Sequence, residues 1–317
     1  MKYKKIPKTD LNVSTIALGT WAMGNDFWGT VDDKDSVDAI QASLAAGINF
    51  IDTAPAYGAG HAETVVARAI KGKRDKVIIA TKTGVVRTKT EFLRDLSPAT
   101  IRRDIEESLK RLKTDYIDLY YVHWPDKNTP LEDSVNTLIK LKDQGKFRYL
   151  AVSNFTIELM DQIQTMTDVV CLQPPYSMLN RRIEKEIVPY CDKNNLGLAT
   201  YGTLAGGILT GKHREIPKFG DADARNKFYN FYREEIWQEL QGLLTLLDEL
   251  AEKYRCTVGQ ISIAWATQQK GITSVLVGAK NTSQVQANAK AANIILDKTD
   301  LKSIETYITE NLQNVAF

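Results

Sequence analysis

Two kinds of hydrophobic pattern alternate along the chain. Short runs that are apolar on consecutive positions fall at 13–18, 48–51, 77–81, 116–122, 149–152, 169–172, 198–200 and 274–277. Between them apolar residues recur three and four apart, the spacing of one helical face. Val37, Ile40 and Leu44 form such a stripe, stopped by Gly47, and 61–70 forms the next. Ser97-Pro98 opens a helix with proline at its first position and a stripe of Ile101, Ile105, Leu109 and Leu112. Thr129-Pro130-Leu131-Glu132 reads as a capping box for a helix burying Leu131, Val135, Leu138 and Ile139 and ending near Gly145. Further helices are expected at 156–166, 183–194, 234–254, 258–269, 283–292 and 300–311, with a loop at 202–233.

Strands apolar on both faces, each followed by a helix, call for a parallel sheet covered by helices and joined by right-handed crossovers. Eight such units predict an α/β fold, a single (β/α)8 TIM barrel occupying residues 1–317 as one domain. Residues 2–6 precede the first barrel strand and are expected to form an N-terminal hairpin plugging the barrel's bottom; extra C-terminal helices close the chain.

Composition narrows the function. In 317 residues, 41 Lys and Arg face 39 Asp and Glu, a net charge of +2 with the signs interspersed, which argues against a nucleic-acid partner. No uncharged apolar run approaches the ~20 residues of a membrane span, and the charged start lacks the apolar core of a signal peptide. Cys171, Cys191 and Cys256 are sparse and odd in number, as free thiols in a reducing cytoplasm would be. His61, His123 and His213 show no metal-ligand spacing, so no metal is expected. Neither end carries an obvious partner-binding extension, so no protein partner is indicated.

The polar residues share an address. Asp52, Lys82, His123, Ser153-Asn154, Gln173, Tyr201-Gly202 and Gly278-Ala279-Lys280 each follow directly on an expected strand. In a barrel these positions lie on the C-terminal rim, where this fold builds its sites. Singly each has a plainer reading: Asp52 as a turn cap, Tyr57 as a pocket wall, Lys82 as a surface lysine, His123 as a core histidine. Together Asp52, Tyr57, Lys82 and His123 read as one device. A lysine beside Tyr57 is expected to lower its phenol pKa, with Asp52 holding the lysine and His123 orienting a carbonyl oxygen. That makes a proton donor for an oxygen becoming an alkoxide, as when hydride reaches a carbonyl carbon.

Gly58-Ala59-Gly60-His61-Ala62-Glu63 begins like a dinucleotide fingerprint but has Glu63 at the third glycine and follows the second strand. Phosphate chemistry is expected later instead. Leu204-Ala205-Gly206-Gly207 allows close backbone approach, Lys212, Arg225 and Lys280 supply cations, and Asn281-Thr282-Ser283 opens a helix. Solvated surface charge is the plainer reading of Lys212 and Arg225.

Ordered motifs along nearly the whole chain resemble the aldo-keto reductases, and among them a bacterial branch that is similar to the β-subunits of voltage-gated potassium channels. They are Leu18-Gly19-Thr20-Trp21, Asp52-Thr53-Ala54-Pro55-Ala56-Tyr57-Gly58, Ala80-Thr81-Lys82, Ser108-Leu109-Lys110-Arg111-Leu112, Asp115-Tyr116-Ile117-Asp118-Leu119 and His123-Trp124-Pro125. Val152-Ser153-Asn154-Phe155, Gln173-Pro174-Pro175-Tyr176, the run 206–212 and Gly278-Ala279-Lys280 complete them. The resemblance implies NADP(H) bound without a Rossmann motif and reversible reduction of a small carbonyl substrate. By it, Tyr57 is the proton donor, Asp52 and Lys82 its tuning partners and His123 the substrate-orienting histidine. Ser153, Asn154 and Gln173 match contacts to the nicotinamide carboxamide, Tyr201 the aromatic on its ring, and Thr20, Trp21 and Asp52 contacts near its ribose. Gly202, Thr203, Leu204, Ala205 and Gly206, with Lys212 and Arg225, match the clasp over the phosphates. Gly278, Ala279, Lys280, Gln284 and Asn288 match the adenine and 2′-phosphate end. Gln284 and Ala287 depart from the arginine and glutamate common there, which bears on affinity and not on identity, and Lys280 favours NADP over NAD.

The expected activity is NADPH-dependent reduction of aldehydes or ketones, with Trp21, Phe27, Trp28 and Trp124 forming an apolar mouth that favours uncharged carbonyls. The alternatives are an NADPH-binding, redox-sensing regulatory subunit and a barrel aldolase using Lys82 as Schiff-base nucleophile.

Overall fold

Residues 1–26, 28–88, 91–220, 223, 225–226 and 229–312 are described by the structure, a computed structural model. Eight strands close into a barrel: β3 (Ile16–Gly19), β4 (Phe50–Asp52), β5 (Ile78–Thr83), β8 (Ile117–Val122), β9 (Phe147–Ser153), β10 (Val169–Gln173), β11 (Gly197–Thr200) and β12 (Ser274–Gly278). Each pairs in parallel with its neighbours, and β12 returns to β3 with Val275 opposite Ile16 and Gly278 opposite Gly19. The consecutive apolar residues are explained by two cores. One face of each strand fills the lumen with Ala17, Phe50, Ala80, Leu119, Tyr121, Ala151, Cys171 and Ala199. The other meets the surrounding helices through residues such as Ile51, Ile79, Tyr120, Val152 and Leu172.

Those helices are α1 (Asp33–Ala45), α2 (His61–Ala69), α3 (Pro98–Leu112), α4 (Leu131–Asp143), α5 (Ile157–Gln164), α6 (Ile187–Lys193), α7 (Glu234–Lys253), α8 (Val258–Gln268), α9 (Thr282–Lys290) and α10 (Lys298–Asn311). In α3, Ser97 caps the Thr100 N–H and the stripe read from the sequence is buried throughout. Among the described residues no helix is long and apolar enough to cross a membrane, and no metal-holding cluster of His, Cys, Asp or Glu occurs.

Three local readings are corrected. The run at 13–18 is two strands: β2 (Asn12–Ser14) pairs antiparallel with β1 (Tyr3–Lys5), and β3 starts after the bend at Thr15. This hairpin is the expected plug, and Ile6, Leu11 and Val13 pack into the lumen cluster. The capping box at Thr129 does not form, because its hydroxyl donates to Asp126 Oδ2 and Pro130 is the N-cap residue. A capping box forms instead at Thr257 and Gln260, heading α8. The expected helix at 183–194 breaks into a 3-10 turn at Arg182–Glu184 and α6. Unforeseen was a hairpin on the rim, β6 (Val85–Arg87) with β7 (Phe92–Arg94).

Candidate active site

The strand ends converge as expected. Asp52, Ser153, Gln173 and Gly278 are the last residues of β4, β9, β10 and β12; Lys82 is the penultimate residue of β5; Thr20, His123 and Tyr201 directly follow β3, β8 and β11. Lys82 is wholly buried, and its Nζ donates to Asp52 Oδ1 at 2.5 Å, Thr53 O at 2.9 Å and Tyr57 Oη at 3.3 Å. The second oxygen of Asp52 accepts from Gln173 Nε2 at 2.9 Å. The N–H and hydroxyl of Thr20 both donate to the Asp52 carbonyl. Tyr57 stands edge-on to His123 with ring centroids 6.1 Å apart, and Trp21 stacks beside it at 6.2 Å.

The electrostatics correct one expectation. Lys82 does not depress the Tyr57 phenol. Burial pushes that phenol well above its ordinary value, and the Asp52 carboxylate pushes it further. The physical reason is that Lys82 is already compensated by Asp52 at 2.5 Å. Tyr57 is therefore held protonated, the form a proton donor requires. Burial also lowers the Lys82 ammonium, against the pull of Asp52 and Glu63. Its three N–H donors are all engaged, so no lone pair faces the mouth for Schiff-base attack, which weighs against an aldolase. Burial first and the Lys82 charge second hold the His123 imidazole well below its usual range.

A neutral His123 has a measurable consequence. The unfolded chain takes up a proton at this residue below about pH 6.5, while the folded chain does not. Stability contributed at His123 is thus complete above that pH and falls as the pH drops through it, by at most about 1.4 kcal/mol per pH unit. His123→Asn is expected to lose this slope relative to the parent in urea unfolding between pH 7.5 and 5. Equal slopes would show that His123 ionises freely in the folded protein.

The residues assigned to the nicotinamide are bonded to one another. Asn154 adopts a left-handed conformation, its amide donating to His123 O at 3.1 Å and Ser153 Oγ at 2.9 Å, while Tyr201 Oη donates to its Oδ1 at 2.9 Å. Ser153 Oγ donates to Gln173 O at 2.8 Å. Around the rim, residues 205–210 form a 3-10 turn kinked at Gly206 and Gly207, both at positive φ. A Cβ on Gly206 would lie 2.8 Å from the Tyr229 ring, so only glycine lets that ring lie against the turn. Burial lifts the Tyr229 phenol to about 12.

The three expected cations also gather. Arg225 and Lys212 both act to lower the Lys280 ammonium after burial does, and Asp223 opposes them. Arg225 is no solvated surface charge: it forms a bidentate pair with Asp223 and lies 3.8 Å over the Phe219 ring. Lys280 reaches across to donate to the Trp28 carbonyl, and its N–H is accepted by Gln284 Oε1 at 2.8 Å. Asn281 caps α9 directly behind it. Asn288 Nδ2 points back to Gly278 O at 3.4 Å. Of the mouth aromatics, Trp21 and Trp28 meet edge to face at 5.4 Å, Trp124 carries Arg94 over its ring, and Phe27 lies outside the described residues.

Three groups escaped the sequence reading. Glu63, wholly buried, accepts from Thr81 Oγ1 and Arg111 Nε, both at 2.6 Å. This explains the broken fingerprint, since a Cβ on Gly60 would lie 2.5 Å from that guanidinium: the glycine run admits Arg111, not a phosphate. Tyr229 and Asp26 are the other two.

The family model of the aldo/keto reductases matches residues 15–308. The chain is similar to "Aldo-keto reductase YhdN" of Bacillus subtilis, 39% identical over 99% of this chain and 96% of the relative. An Escherichia coli protein described as an NADH-specific methylglyoxal reductase is 34% identical (94% and 96% covered), and a probable voltage-gated potassium channel subunit beta of Arabidopsis thaliana 31% (93% and 92%). Among solved structures, the glycerol dehydrogenase AKR11B4 from Gluconobacter oxydans superposes with a TM-score of 0.91 at 36% identity, covering 99% of this chain and 97% of that one. An aldo/keto reductase from Klebsiella pneumoniae in complex with NADP and acetate gives 0.76 at 28% identity, covering 96% and 95%.

Proposed function

Because the chain belongs to the aldo/keto reductase family of oxidoreductases, we propose that it reduces aldehydes or ketones to alcohols at the rim formed by Asp52, Tyr57, Lys82 and His123, with NADPH as reductant. The observation that carries this reading is the buried Lys82 bridging Asp52 and Tyr57 beside a neutral His123. When bound, the cofactor supplies the hydride. His123 donates a hydrogen bond that orients the carbonyl oxygen, and Tyr57 delivers a proton to that oxygen as it becomes an alkoxide. Lys82 and Asp52 fix the phenol and neutralise each other, both buried. Trp21, Trp28 and Trp124 give the mouth apolar walls suited to uncharged carbonyls.

The residues present fit a dinucleotide phosphate. Gly202 stands at positive φ with open space where a Cβ would sit, so backbone there can be approached closely beside the turn at Gly206. Lys212, Arg225 and Lys280 gather at one end of the rim, with the capped start of α9 next to Lys280. That charge supports NADPH, and the NADP complex of the Klebsiella relative is in keeping with it; the Escherichia coli relative, described as NADH-specific, makes cofactor choice the point to measure. Absorbance loss at the reduced nicotinamide band with benzaldehyde and methylglyoxal tests the activity, and oxidation by neither carbonyl would remove it.

Lys280→Met is expected to weaken NADPH by roughly 10- to 150-fold, the worth of a charge-assisted contact of about 1.5–3 kcal/mol, and to leave NADH nearly unchanged. It should also flatten the salt dependence of NADPH binding in fluorescence titrations. Equal losses for both cofactors would mean that Lys280 acts through its bond to the Trp28 carbonyl.

A further inference from the structure

The Asp26 carboxylate pairs with none of the side chains of Asp52, Tyr57, Lys82 and His123. Asp26 sits in the loop between the 3-10 turn Trp21–Gly24 and α1, and its side chain is only 8% exposed. Oδ2 accepts the Gly58 N–H at 3.1 Å and pairs with Arg87 at the end of β6. Gly58 is the residue after Tyr57. Beneath this bond the two backbones touch: a Cβ on Gly58 would lie 2.2 Å from Gly24 O, and one on Gly24 would lie 2.7 Å from the Tyr57 carbonyl carbon and 2.9 Å from Asp26 Oδ1. Gly58 is at φ +63, so its N–H direction is set by a turn that other residues resist. Asn25, also left-handed, closes the loop by accepting the Val31 N–H at 2.7 Å.

Three segments therefore meet at Asp26: the stretch bearing Trp21 and Trp28, the turn bearing Tyr57, and the hairpin β6–β7. The arrangement is not one that stability alone favours. Asp26 Oδ1 is buried without a hydrogen-bond partner among the described residues, and an orphaned carboxylate oxygen is a destabilising feature that tends to persist where it serves a site.

We propose that Asp26 is a positioning residue for the proton donor. By holding the Gly58 N–H it fixes the direction in which the Tyr57 side chain leaves the backbone, and through Arg87 it ties that direction to the rim hairpin. The proposal rests on Tyr57 as the donor. Its effect is orientational, so it is expected in kcat and not in KM, and it should vanish once the hydroxyl is gone.

The test is a mutant cycle in the full-length protein with benzaldehyde and NADPH, where folding is followed by circular dichroism and cofactor affinity by fluorescence quenching. Asp26→Ala should lower kcat by roughly 10- to 100-fold, the range for small misplacements of a reacting group, with KM and NADPH affinity close to the parent. Asp26→Asn keeps an oxygen for the Gly58 N–H and should recover most of the rate. In a Tyr57→Phe background, Asp26→Ala should bring no further loss. The same loss in both backgrounds, or a parental kcat in folded Asp26→Ala, overturns the proposal. If Asp26→Ala does not fold, Arg87→Met read through the same cycle replaces it, and a loss that persists in Tyr57→Phe again overturns it. A failure of the donor reading shows separately, as parental turnover in Tyr57→Phe alone.

Discussion

Tyr57→Phe is expected to lose roughly 100- to 10,000-fold of carbonyl reduction, the range for a general acid, while binding NADPH as the parent does. The substitution removes one oxygen. That oxygen receives the third hydrogen bond of Lys82 at 3.3 Å, and burial keeps it protonated. The ring remains, so its stacking on Trp21 and its edge contact with His123 are preserved. Cofactor affinity and thermal stability should thus separate cleanly from rate. Turnover near the parent, with hydride transfer shown to be rate-limiting by a deuterium isotope effect, would take Tyr57 out of the reaction.

Lys82→Met is the second large effect, and it falls on stability as well as rate. The change strips a buried carboxylate of its partner, since the Asp52 side chain is 2% exposed and keeps only the Gln173 amide on its other oxygen. Breaking a buried pair from one side costs about 3–5 kcal/mol. Urea unfolding should register a loss of that order. Adding Asp52→Asn removes the stranded charge and should restore part of the stability without restoring turnover. A single variant with parental stability and an unaltered pH profile of turnover would show that the pair is not coupled to Tyr57.

What was legible in the sequence follows from what leaves a periodic trace. Strands buried on both faces write uninterrupted apolar runs, so the residue ending each run, from Asp52 to Gly278, is marked in the sequence itself. The tetrad followed because its members occupy those addresses. The assignment of Ser153, Asn154, Gln173, Tyr201 and the residues from Gly202 to Asn288 to particular parts of a cofactor came from the family resemblance, since nothing in their spacing names a ligand atom. Contacts between distant segments left no trace. Asp26 and Arg87 are 61 residues apart and both lie outside helices. Glu63 looks like an ordinary first-turn acid in α2 until Arg111, 48 residues on, is folded against it. The capping box at Thr129 failed for the same reason in miniature, because Asp126 competes for the hydroxyl. The sign of the Tyr57 shift is not legible, because spacing reveals a neighbouring charge but not that another charge has cancelled it.

The pairing of β12 with β3 sets a timetable for synthesis. Ser274 Oγ donates to Ser14 O at 2.8 Å across 260 residues of chain. At about 5–20 residues per second, the first barrel strand emerges from the ribosome roughly 13 to 52 seconds before the last strand that covers its edge. Until then Ile16 to Gly19 offers an unpaired, apolar ribbon to any other nascent strand. A chain interrupted before Ser274 cannot close, however complete its tetrad, because Asp52, Lys82 and His123 are all translated long before the wall that encloses them. Ribosome-bound fragments ending upstream of β12 should accordingly engage chaperones and yield to protease, with protection arriving only when the last strand has cleared the exit tunnel.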